Sequence, residues 1–137
     1  MKFFHLTFLV CLFLLFQSCS EKDKACNGIC SEEYRTIVVN IENNQGDPVL
    51  LDSFKVVDLG NGSDITLQLD DWTRDYQRER GIYPIFSDKY VREYRQLQAQ
   101  IKFTGFIDGQ EVVSEIYKVA VDCCHVVHLA GDLELVI

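Results

Sequence analysis

Basic side chains are scarce in this chain of 137 residues: 13 Lys and Arg stand against 21 Asp and Glu, a formal net charge of −8. A surface of that sign repels phosphate backbones, which argues against a nucleic-acid partner. It suits a soluble domain held outside a membrane. No apolar run reaches the roughly 20 residues that a helix needs to cross a bilayer. The longest, Phe3 to Phe16, is interrupted by His5 and Thr7. Internal repeats and low-complexity tracts are missing, as is the spacing of an EF-hand. Acidic pairs such as Asp70-Asp71, or Asp58 with Asp64, therefore read as solvated turns. Ser53, Ser63, Ser87 and Ser114 stand in no nucleophile motif, so neither an enzyme nor a bound cofactor is expected.

What is present begins at the first residues. Lys2 followed by a short apolar stretch and then small residues describes a secretory signal peptide. Leu15-Phe16-Gln17-Ser18-Cys19 resembles the lipobox of bacterial lipoproteins, with Leu15, Ser18 and Cys19 carrying the match. The resemblance implies cleavage before Cys19, a diacylglycerol on its thiol and a fatty acyl chain, such as palmitate, on its new amino group. Each buried methylene contributes about 0.8 kcal/mol, so two or three chains would hold the protein to a membrane permanently. The expected organisation is a signal peptide over 1–18, a lipidated tether over 19–33 that includes Cys26 and Cys30, and one domain over 34–137. By resemblance to Bacteroidetes-type lipoproteins, the expected location is the outer membrane, facing the periplasm or the cell surface.

The domain reads as all-β. Ile37, Val39 and Ile41 alternate with Thr36, Val38 and Asn40. The turn-rich ENNQGDP (42–48) closes that strand. Residues 49–59 are apolar with irregular phase, and ITLQL (65–69) alternates. In 97–107, Leu97, Ala99, Ile101, Phe103 and Ile107 form one face against Gln98, Gln100, Lys102 and Thr104. Asp108-Gly109 predicts a tight hairpin into the next strand, and LELVI (133–137) is the last. Short strands separated by turn signals predict a single antiparallel sandwich of about seven strands. Residues 70–96 lack alternation, and Ser87 is a candidate cap for a helix through Arg95. Gly46, Asp47 and Pro48 within the 37–67 stretch resemble the opening of carboxypeptidase regulatory-like, or transthyretin-like, domains. That resemblance implies a transthyretin-like or immunoglobulin-like sandwich and carries no activity with it.

With Cys11 in the signal peptide and Cys19 lipidated, Cys26, Cys30, Cys123 and Cys124 remain. An even number in an oxidising compartment reads as disulfides. Neighbours on an extended strand face opposite ways, so Cys123 and Cys124 are poorly placed to join each other, and at least one bridge is expected from Cys26 or Cys30 to Cys123 or Cys124. The alternative is a metal-handling or thiol protein using Cys123, Cys124 and His125, with His128 nearby. Against it, His125 and His128 would fall on opposite faces of a strand, so no metal is expected. Trp72, Arg74, Tyr76, Arg78, Tyr83, Tyr90, Arg92 and Tyr94 are of types enriched at interfaces, and form a candidate binding surface for a protein or glycan partner. The functional expectation is thus a membrane-anchored binding or accessory module.

Overall fold

A computed structural model describes Cys26 and residues 29–137. The signal segment, the lipobox and Cys19 lie outside the described residues. The strands are β1 (Thr36–Glu42), β2 (Ser53–Asp58), β3 (Ile82–Ser87), β4 (Gln98–Ile107), β5 (Gln110–Val121), β6 (Val126–Ala130) and β7 (Glu134–Val136). One helix, α1 (Asp71–Arg78), precedes β3, and a single 3-10 turn (Asp88–Tyr90) follows it. The strands form two sheets, ordered β3-β1-β7 and β2-β4-β5-β6. All pairings are antiparallel except β1 with β7. This is the expected all-β sandwich.

The alternation in β1 does what its period predicts: Ile37, Val39 and Ile41 are buried between the sheets. Opposite them, β4 and β5 contribute Ile101, Phe103, Tyr117 and Val119, all fully buried. Leu97, expected on that face, is instead exposed, because β4 starts one residue later. A bulge at Gly105/Phe106 then shifts the strand's phase. Gly105 sits where a Cβ would come within 2.5 Å of a Leu51 methyl, so only glycine lets the β1–β2 loop pack there. At the hairpin, Asp108 and Gly109 both have positive φ (51° and 73°), as a two-residue type I′ turn requires.

Three expectations change. ITLQL is not a strand, although Ile65 is buried and its N–H reaches the Val56 carbonyl. The Val56 N–H that a ladder would use donates instead to the Thr66 hydroxyl, and Asp64 accepts from both the amide and the hydroxyl of Thr66. Side chains have taken over the backbone's partners. Second, the helix lies at 71–78, not 87–95. Asp70 caps it by accepting from the Thr73 amide and hydroxyl, and Gly81 at φ +66° ends the segment. Ser87 does act as a cap, but only of the 3-10 turn. Third, IYPIFS is the strand β3. Five of its six residues are buried, which removes the alternation, and Pro84 is tolerated because β3 is an edge strand paired at a bulge.

Strand directions divide the molecule into two poles. Residues 29–35, the 3-10 turn and the β5–β6 connection meet at one, where the Arg35 N–H donates to Asp88 and the Asp88 carboxylate also reaches His125. At the other, the β1–β2 loop, α1 and the β4–β5 hairpin meet: Arg78 Nε donates to the Leu51 carbonyl and the Asp108 N–H to Asp52.

The register predicts the cost of substitutions in β4. Phe103→Ala should destabilise the domain by about 3–5 kcal/mol, whereas exposed Gln100→Ala should stay within about 0.5 kcal/mol of wild type. Urea unfolding of the two variants side by side measures this, and equal losses would mean that the assigned faces are wrong.

Candidate functional site

All four candidate cysteines come together at the first pole. Cys26 is bonded to Cys123 and Cys30 to Cys124, with Cα separations of 5.2 and 5.4 Å. The expected pairing between the N-terminal segment and the adjacent cysteines is what forms. Its local reason differs from the one expected, because residues 122–125 lie beyond the end of β5 in a bend rather than on an extended strand. The Asp122 carboxylate shapes that bend by accepting from the amides of Cys124 (2.6 Å) and His125 (2.8 Å). Those two donors, chiefly the Cys124 amide, hold its carboxyl below the usual carboxylate range.

The Cys30–Cys124 bridge aligns the residues that follow its two cysteines. Next after Cys30 and Cys124 come Ser31 and His125, and Ser31 Oγ lies 2.9 Å from His125 Nε2. The other ring nitrogen, Nδ1, is 2.7 Å from Asp88 Oδ2. Asp88 also accepts the Arg35 N–H at Oδ2 and the Val126 N–H at Oδ1, each at 2.8 Å. Burial alone would raise the Asp88 pKa. The hydrogen bonds from His125, Arg35 and Val126 together outweigh it and hold the carboxyl below its ordinary value. An ionised Asp88 accepts from Nδ1, so in the neutral ring Nδ1 carries the proton and Nε2 offers its lone pair to the Ser31 hydroxyl. His125 is 7% exposed and Ser31 is open to solvent. In order and distances this is a hydroxyl, a base and an orienting acid.

Ser31 is not among the four serines weighed from the sequence, none of which stands in a nucleophile motif. It lies 94 positions from His125, so no local pattern could join them. Only the pairing of Cys30 with Cys124 would have pointed there. The alternative set for metal or thiol chemistry is already engaged in other contacts, His128 apart. Its two cysteines are in disulfides, both nitrogens of His125 are engaged, and His128 Nε2 is buried near the Tyr117 ring without a partner.

The candidate binding surface divides in two. Tyr83 and Tyr94 are buried and Tyr90 is half-buried, which corrects their placement on a surface. They anchor loops: Tyr83 donates to the Val49 carbonyl and accepts from the Leu51 amide, Tyr90 donates to the Ile65 carbonyl, and Tyr94 to Asp58. Large rings with one polar atom usually satisfy that atom when they are buried, as these three do. Arg92 is exposed in the turn after the 3-10 helix. The α1 members stay at the surface. Trp72 is 74% exposed and stacks on Tyr76 at 5.3 Å, and the Arg80 guanidinium lies over the Tyr76 ring at 3.7 Å. Arg74 pairs with Asp71 and Arg78 with Asp52. Beside the helix is a cleft of about 330 Å³ lined by Leu51, Phe54, Leu69, Gln77, Arg78 and Tyr83. A second, of about 440 Å³, lies between Asp58–Asn61 and Glu93–Gln100.

Comparison with protein-family models, with curated proteins and with solved structures finds no match.

The two bridges should not contribute equally when removed singly. The first to form closes a loop near 100 residues, which chain entropy values at about 4.7 kcal/mol; the second then closes a ring of only a few residues, worth about 2 kcal/mol. Replacing either pair by serines should therefore cost about 2 kcal/mol, and replacing both pairs about 7 kcal/mol, well above the sum of the single losses. Denaturant midpoints of the three variants test it; additive single-pair losses would contradict a shared loop.

Acid should loosen the same pole. Because folding depresses the Asp88 pKa below the ordinary 3.8, its contribution is fully present above that value. It is lost as pH falls through the depressed folded value. Melting temperature measured from pH 7 down to pH 2 should fall less steeply in Asp88→Asn than in wild type. Parallel curves would mean that Asp88 contributes nothing to acid sensitivity.

Proposed function

We propose that this chain is a lipid-anchored extracytoplasmic module that binds a protein or glycan partner through the α1 pole. The observation that carries the reading is the opposition of the poles: the bridged N-terminal segment is at one, and the exposed Trp72–Tyr76–Arg80 column at the other. Cys19, the lipid-bearing residue of the lipobox resemblance, precedes Cys26 by seven positions. Seven extended residues span at most about 25 Å. A lipid on Cys19 therefore keeps the stapled pole near the bilayer and directs α1 away from it. Two disulfides suit the oxidising compartment that an exported lipoprotein enters. Stacked Trp and Tyr with Arg are the types that dominate binding energy where a partner covers them. The outer membrane, on its periplasmic or outer face, is the location this reading assigns.

Trp72 is the only tryptophan in the chain, which makes it a native reporter of this arrangement. Cys19→Ala should move the protein from the membrane to the soluble fraction. In vesicles carrying the lipidated protein, aqueous iodide should quench Trp72 as strongly as in the Cys19→Ala form, and a nitroxide in the lipid headgroups should leave it unchanged. Retention of Cys19→Ala on membranes would defeat the anchor; quenching by the headgroup nitroxide would defeat the outward α1 pole.

A further inference from the structure

We propose that Ser31 is a nucleophile toward small carboxylic esters, with His125 as its general base and Asp88 as a positioning residue. The proposal does not rest on the docking function above, since it concerns the other pole and requires neither the lipid nor a partner.

Its first support is directional. Asp88 is held by the amides of Arg35 and Val126, which come from different chain segments, so its carboxylate cannot turn away from His125 Nδ1. The ring is fixed from its own backbone as well, through the His125 amide on Asp122. What remains on the outward side is Nε2, aimed at Ser31 Oγ at 2.9 Å. This is within the reach a general base needs for the hydroxyl proton. The second support is access. His125 is enclosed and Ser31 is exposed, so an approaching electrophile meets the hydroxyl first and the proton leaves through the ring behind it. The third is the Cys30–Cys124 bridge, which clamps the neighbours of both residues and lowers the entropy of keeping them in line.

The reaction balances without an oxidant or a metal. Ser31 Oγ adds to the ester carbonyl carbon while its proton passes to Nε2. The bond to the leaving alcohol then breaks as Nε2 returns that proton to the departing oxygen, leaving an acyl-serine. A water molecule repeats the sequence, releasing the acid and restoring the hydroxyl. Neither cleft described above touches Ser31, so selectivity for a long acyl chain is not expected. General-base assistance is worth about 10²–10⁴-fold, which sets the scale: slow turnover of small esters with good leaving groups.

The test uses the full oxidised protein with an alkyl fluorophosphonate, read by intact mass and peptide mapping, and p-nitrophenyl acetate as substrate. One phosphonyl adduct should appear on Ser31 and vanish in Ser31→Ala, whose exposed position leaves the fold intact. Labelling and p-nitrophenyl acetate hydrolysis should both slow at least tenfold in His125→Gln. Asp88→Asn, which reverses the hydrogen bond to Nδ1, should do the same. A purely structural serine would give no adduct. Absence of an adduct in wild type, an adduct elsewhere, or labelling undiminished in folded His125→Gln would each overturn the proposal. If both ring-pocket variants melt below the assay temperature, wild type against Ser31→Ala decides it.

Discussion

A single carboxylate holds three parts of this chain together. Asp88, at the end of β3, accepts from the amide before β1, from the amide that starts β6 and from the His125 ring. These donors come from both sheets and from the connection between β5 and β6. A charge this far from water is costly unless each oxygen is satisfied. Here the three donors are present, and they hold the carboxyl in its ionised form. Removing the carboxylate group would strand two backbone amides and a ring nitrogen in a place water reaches poorly. The segment carrying Cys26 and Cys30, the bend carrying Cys123 and Cys124, and the rest of the sandwich all depend on that satisfaction.

The disulfides act on a pole that these hydrogen bonds have already shaped. Asp122 turns the chain at residues 122–125, and the turn presents two neighbouring sulfurs to one passing segment. Joined in two bridges, the four sulfurs serve as staples. The same placement brings Ser31 against His125, so stapling and the hydroxyl–imidazole–carboxylate chain have one geometric origin.

The other pole is built differently. Its loops are held by neutral hydroxyls and by guanidinium groups on backbone carbonyls, as with Tyr83 on the β1–β2 loop and Arg78 on Leu51. None of the eight residues of α1 is buried. Its packing contribution is therefore small, and its exposed aromatic column is left free to meet something else. A sandwich fastened at one end and presenting rings at the other has its two tasks separated by the length of its strands.

Much of this was legible in the residues alone. Alternation in β1 and in the middle of β4 marked the buried faces, because a two-residue period and a half-buried sheet are the same constraint. Asp108-Gly109 marked its hairpin, since few residue pairs accept two positive φ angles. The cysteine count, with the export signal expected from the first residues, called for bridges between the two ends of the chain. Other features were decided only by tertiary contacts. In β3 burial on both faces erased the periodicity. At 65–69 the Asp64 and Thr66 side chains displaced a ladder that the alternation had promised. Tyr83, Tyr90 and Tyr94 had the composition of an interface, and hydrogen bonds to loops drew them into the core or against it. Ser31 and His125 are far apart along the chain, and local sequence cannot show that a disulfide one residue away sets them side by side. Periodicity and turn chemistry are local and can be read from the chain. Contact between distant side chains is set by how the sheets close.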